Sequence, residues 1–190
     1  MPTDLTQLPV ARRWREQAVP GPAVLSLIRR ETFGGETACL LIKRIKDPYA
    51  GFWGLVGGRW EFGEPLADAI LREVREETGL QAAFTALRGF VNERLYPLTD
   101  DDRGAHYAAF VCEVHAPTGE PVEQDEGELA WFTAAQLAEL RRADRIVPTD
   151  ALILDAFLPP SPPLPYIEAE VVTRGLGQSD TVVRRFEKIS

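Results

Sequence analysis

Cysteine is nearly missing from this chain: Cys39 and Cys112 are the only two in 190 residues. Both lie inside apolar runs without metal-ligand spacing. This argues against a disulfide framework or a thiolate metal site and for small buried hydrophobes. Basic side chains are also in deficit. Lys and Arg total 21 against 29 Asp and Glu, a formal charge of −8. A non-specific duplex binder gains affinity by neutralising phosphates with Lys and Arg, so the balance argues against duplex DNA as a partner. It leaves room for a small anionic substrate, because divalent cations bridge acidic pockets to phosphates. Solubility is the plainer reading of the same charge. Long apolar runs are missing too. No segment approaches 18 consecutive apolar residues, which argues against a membrane-spanning helix. No uninterrupted apolar stretch follows Arg12, Arg13 and Arg15, as a signal peptide would require. A reducing, cytoplasmic setting is the default expectation.

What is there suffices for a packed core: 45% hydrophobic residues, in a length that suits one sizeable domain and not two. Residues 1–22 read as a leader with one short helix near residues 11–18. Residues 23–30 and 37–45 are apolar runs around Gly34-Gly35, a hairpin signal. A short extended piece at 53–56 is ended by Gly57-Gly58. A helix then opens at Pro65, where a missing N–H costs nothing. Leu66, Ala69, Ile70 and Val74 form its buried stripe, and Gly79 stops it. Strands are expected at 82–94 and 105–114, an acidic loop at 117–127, and a short strand at 129–132. Thr133 caps one helix to about residue 142, and Thr149 caps another ending near Leu158. Strands and helices mix without strict alternation, so the fold class is α+β, layered around a mixed sheet.

Five prolines between 159 and 165 mark a semi-rigid linker, and residues 159–190 end in a hairpin tail. In it Ile167, Ala169, Val171 and Thr173 alternate with Glu168, Glu170 and Val172. An isolated hairpin is marginal in water. It rests on a partner subunit, with a symmetric homodimer the commonest outcome, or it folds back on its own domain or stays disordered.

The chemistry concentrates after Gly58. Glu73, Glu76 and Glu77 stand at i, i+3 and i+4 and, at ~100° per residue, project from one helix face. Like charges so close repel, and Arg72 offsets only part of this. A hard divalent ion would supply the missing cation; a solvated acidic face is the bland alternative.

The spacing decides between them. Gly58, Glu64, Arg72-Glu73-Val74, Glu76-Glu77 and Gly79-Leu80 stand where the Nudix box has its fixed residues, and the region 23–158 resembles a Nudix hydrolase domain. The resemblance implies an α/β/α sandwich around the mixed sheet. It also implies hydrolysis of a nucleoside diphosphate linked to another group, with Mg2+ (or Mn2+) as cofactor and a small nucleotide as partner. Glu76 and Glu77 match metal ligands, with Glu73 and the Gly57 carbonyl completing the set. Arg72 matches the residue that orients a metal-binding carboxylate, here Glu76, and Glu64 a supporting carboxylate. The general base lies in the box or in the loop 123–128, where Glu126 is first choice among Glu123, Asp125, Glu126 and Glu128. Val56 stands where many members have Pro, and Trp60 is bulkier than usual; neither is a ligand position. Tyr96-Pro97 carries two conflicting family markers, for dinucleoside polyphosphates and for ADP-sugars. Tyr49, Phe52, Trp53 and Trp60 either stack a base or fill the core. A nucleotide-binding module of the same fold without turnover is the alternative function.

Overall fold

The computed structural model describes residues 20–46, 49–95, 105–116, 119–160, 162–173 and 181–189. The expected short helix near residues 11–18 and the Tyr96-Pro97 pair lie outside them, and of the expected leader, 1–22, only residues 20–22 are described, with Gly21 and Pro22 opening the first strand. Strand β1 (Gly21–Glu31) runs antiparallel to β2 (Thr37–Arg44), with Arg29 opposite Cys39, and Gly35 takes a φ of 77° in the turn. That is the expected hairpin. On its other side β1 pairs in parallel with β6 (Ala105–His115), which pairs antiparallel with β5 (Ala83–Leu95). The sheet order is β3-β2-β1-β6-β5, with β3 at Trp53–Gly54. Strand β4 (Gly57–Arg59) pairs with β1, and β7 (Gly127–Thr133) with β2. One parallel pairing among antiparallel ones makes the sheet mixed.

The period-2 alternation of the strands builds two cores. Val24, Ile28, Leu40, Ile42 and Cys112 face helix α1 (Leu66–Thr78), which contributes Leu66, Ala69, Ile70 and Val74. Leu27, Cys39, Leu41 and Val111 face the other way. They meet Leu137 of α2 (Ala134–Arg142) and Ile153 and Leu154 of α3 (Pro148–Phe157). Helices thus cover both faces, as the sandwich requires. Both cysteines are buried, as expected.

Three local readings need correction. Pro65 does not take the first helical position of α1; it precedes the helix with an extended ψ of 149°, and Leu66 comes first. Gly57 and Gly58 do not end a strand; with Arg59 they form β4, opposite Leu25, Val24 and Ala23. Thr149 does not cap α3. Pro148 takes the first helical position after Val147, and Thr149 falls inside the first turn, its hydroxyl donating to Glu93. Proline's fixed φ and missing N–H suit that first position better than any hydroxyl could. Thr133, by contrast, forms a full capping box with Gln136, as read.

The tail is a hairpin of β8 (Tyr166–Thr173) and β9 (Thr181–Ile189). The proline-rich spacer does not hold it away from its own chain. The Leu164 N–H donates to the Leu87 carbonyl at 2.8 Å, and Tyr166 packs against the α1 core. The tail thus contacts its own domain, as the intramolecular alternative has it.

Candidate active site

The site is built on the β4 edge and the exposed side of α1. Gly57 has a φ of 153°, and a Cβ there would stand 2.2 Å from the Val24 carbonyl oxygen, so no larger residue fits this edge. At Gly58 a Cβ would meet the Glu73 carboxyl at 2.6 Å. The paired glycines therefore let the helix carboxylates press directly onto strand backbone. Glu77 uses this closeness: its Oε2 accepts the Gly57 N–H at 3.1 Å.

Arg72 organises the remaining carboxylates. Its Nε and Nη2 donate to the two oxygens of Glu64 at 2.9 and 3.1 Å, a fork-on-carboxylate pair. Nη1 reaches Glu73 at 2.7 Å and Glu76 at 3.2 Å, and Nη2 also bonds the Arg59 carbonyl. The hydrogen bond from Arg72 holds the Glu64 carboxyl below its ordinary value. Glu64 and Glu73 hold the guanidinium pKa above its own. Glu73 nonetheless shifts upward, because burial outweighs the same arginine.

Glu77 is the most perturbed of the box carboxylates. Burial pushes it up to about 7, helped by the charges of Glu73 and Glu126 and opposed by the Gly57 N–H and Arg44. The charge of Glu126 is thus felt by the box carboxylate. Glu126 is exposed, with Lys46 Nζ at 2.8 Å. Glu128, read as part of the same loop, lies instead in β7 opposite Lys43 and pairs with it. Glu73, Glu76, Glu77 and the Gly57 backbone offer only oxygen donors, which suits a hard divalent ion. As the side chains stand around Arg72, no three acidic, His or Cys groups converge among the described residues.

Beside β4 opens a cavity of about 670 Å³, lined by Gly57, Arg44, Tyr49, Glu93, Tyr107 and Asp150 among others. Of the four aromatics considered for stacking, Tyr49 lines it, with a left-handed φ of 72° and Phe52 edge-on behind it. Trp53 and Trp60 belong to the two cores, packed on Phe132 and Phe110. Sequence reasoning missed Asp150, Glu93, Arg44 and Tyr107. The one signal available for Asp150 was its place in the first turn of a helix opened by Pro148.

Asp150 accepts the Leu55 N–H at 2.8 Å, yet burial and the charge of Glu93 push it up to about 7. A carboxyl whose folded pKa is raised binds more protons folded than unfolded. Stability therefore falls as pH climbs from the ordinary carboxyl value towards about 7. Asp150→Asn keeps an acceptor for Leu55 and removes this loss. The variant is expected to melt above the metal-free parent at pH 8 and to match it more nearly at pH 4. Thermal melts across that range check this; a wider gap at pH 4 contradicts it.

Sheet, flanking helices and an acidic helix seated on a glycine edge define a mixed α+β domain built around a carboxylate site. The NUDIX domain model matches residues 19–157, and the chain belongs to the Nudix hydrolase family. It is 32% identical over 116 residues to the uncharacterized Nudix hydrolase YvcI of Bacillus subtilis, covering 60% of this chain and 69% of that one. It is 31% identical over 121 residues to an ADP-ribose pyrophosphatase of Methanocaldococcus jannaschii, covering 64% and 66%. The crystal structure of a MutT Nudix hydrolase from Burkholderia pseudomallei is 30% identical. It superposes with a TM-score of 0.54 over 73% of this chain and 98% of that one. Among the described residues, no helix is long and apolar enough to cross a membrane.

Proposed function

We propose that this hydrolase cleaves the diphosphate linkage of a nucleoside diphosphate joined to another group, with Mg2+ as cofactor and Mn2+ as a substitute. The observation that carries the reading is a shared edge. Gly57 and Gly58 meet the Glu77 and Glu73 carboxyls, respectively, and also line the large cavity. A substrate in that cavity would bring its diphosphate to the glycine edge on which those carboxylates rest.

Glu73, Glu76, Glu77 and the Gly57 carbonyl would hold the ion. When bound, it neutralises diphosphate charge and lowers the pKa of the attacking water. Arg72 holds Glu73 and Glu76 in place. Glu126 takes the water's proton at its carboxylate, with Lys46 paired to that side chain. Arg44 faces the phosphates from within the cavity, and the Tyr49 and Tyr107 rings flank the base. ADP-ribose is a natural first substrate to try, given the relative that carries its name.

The test is product release from a panel of ADP-ribose, nucleotide sugars, dinucleoside polyphosphates and nucleoside triphosphates, with Mg2+ or with EDTA. Turnover with Mg2+ and none with EDTA is expected. Glu126→Gln should lower kcat by roughly 10²–10⁴-fold, the usual range for a general base, at little change in metal affinity. Nucleotide binding without any hydrolysis would favour the binding-module reading. Parental kcat in Glu126→Gln would move the base into the box.

A further inference from the structure

Helix α1 has no cap of its own. Pro65 precedes it with an extended ψ of 149° and no side-chain hydrogen bond, so Leu66 presents the helix's first backbone N–H. Leu66 is buried, and a buried orphan donor needs a partner. The partner comes from 102 residues further along the chain: Glu168 Oε1, on β8, accepts the Leu66 N–H at 3.0 Å. The segment leading there lies along the domain. Arg88 Nη2 meets the Pro159 carbonyl at 3.5 Å, the Leu164 N–H bonds Leu87, and the Tyr166 ring meets Phe84 edge-on at 6.0 Å. Across the hairpin Glu168 faces Glu187, a like-charge pairing that a hairpin would not choose for its own stability. Arg185 offsets Glu187; the Glu168 carboxylate is spent on the helix.

The family match ends at residue 157 and does not include this contact. We propose that Glu168 is a positioning residue for the divalent-ion carboxylates, fixing the loop-to-helix junction from which Glu64 sets Arg72 and, through Arg72, Glu73 and Glu76. The inference rests on the metal-site reading above. Its path is short and contiguous. Leu66 stands two residues after Glu64; Trp60 Nε1 pins the Glu64 carbonyl at 2.8 Å from the other side. Glu64 grips Arg72 through both oxygens, and the same guanidinium holds Glu73 and Glu76. A helix start freed by a residue or so would let that fork turn, and the carboxylates would turn with it.

The test uses the full chain and measures Mn2+ binding by EPR without substrate, the Mg2+ dependence of hydrolysis, and thermal melts. Partners behind metal ligands typically change metal affinity by 10–100-fold when lost, and Glu168→Ala is expected near the lower end, about tenfold weaker for Mn2+. The Mg2+ needed for half-maximal rate should rise in proportion, with kcat largely recovered at saturating metal. Glu168→Gln still offers an oxygen to Leu66 and should restore affinity to within about twofold. Should Glu168→Ala not fold, Glu168→Asp, too short to reach Leu66, serves in its place with the same expected loss. A lower melting temperature with unchanged Mn2+ affinity would show mere structural support and overturn the proposal, as would a Gln variant as weak as the Ala one. A parent chain that binds no Mn2+ would instead overturn the metal-site reading itself.

Discussion

Replacing Glu77 by Gln is expected to lower kcat on the order of 10³-fold while leaving the metal-free protein at least as stable as the parent. A catalytic ion supplies several kcal/mol of transition-state stabilisation, and about 4 kcal/mol corresponds to that factor. Gln is nearly isosteric, and its amide oxygen can still accept the Gly57 N–H that Glu77 holds at 3.1 Å. Stability moves the other way because the parent carboxyl is forced up to about 7, chiefly by burial. Folded protein then binds more protons than unfolded chain, and stability drains as pH rises from 4.5 to about 7. A neutral amide is spared that loss, so the variant's advantage should be largest near pH 8 without metal. Mg2+ should raise the parent's melting temperature by mass action and raise the variant's less. Steady-state kinetics and melts with and without Mg2+ decide. Activity within tenfold of the parent, or an equal response to Mg2+, would sink the assignment of Glu77.

The box was legible because its chemistry is local. Glu64, Arg72, Glu73, Glu76 and Glu77 fall within 14 residues of one loop and helix, and the structure joins four of them through Arg72. The stripe Leu66, Ala69, Ile70 and Val74 is buried as periodicity requires, and Gly79 ends the helix with a left-handed φ of 70°. The cavity was not legible. Arg44, Glu93 and Asp150 come from β2, β5 and α3, and nothing in their spacing announces that the sheet order brings them together.

The tail shows the limit most clearly. Alternation marked the first strand of its hairpin but did not say which set of residues faces the domain. Ile167 is 51% exposed, and the face turned to the domain carries Tyr166 and Glu168. A strand has period 2, so which set goes inward is settled by what it meets, here Phe84 and an uncapped helix. Neither is visible from the tail's own residues.

Arg72→Ala should be the most damaging single change to stability around the site. In the parent, one guanidinium serves Glu64, Glu73 and Glu76. The first two are well screened from water, with side chains 17% and 12% exposed, whereas Glu76 is 54% exposed and counts for little. Removing the cation leaves two half-buried carboxylates facing each other across an empty position, close to Glu77. Breaking such a pair from one side costs about 3–5 kcal/mol, mostly as the penalty on the charges left behind. At roughly 2–4 °C per kcal/mol for a domain of this size, the melting temperature should fall by about 6–20 °C near pH 7. Arg72→Lys should fall in between, because a point charge cannot span the Glu64 fork and also reach Glu73. Mg2+ should return more of the loss to Arg72→Ala than it adds to the parent, since the ion brings positive charge to the same carboxylates. Glu64→Gln placed on top of Arg72→Ala should recover stability for the same reason. A screened surface pair would give a loss that vanishes in salt, whereas this one should persist at 1 M NaCl, where the screening length is about 3 Å. Melts of the four proteins with and without Mg2+ test the account. A loss under about 2 °C in Arg72→Ala, or one that salt erases, would mean the carboxylates are held by solvent and not by Arg72.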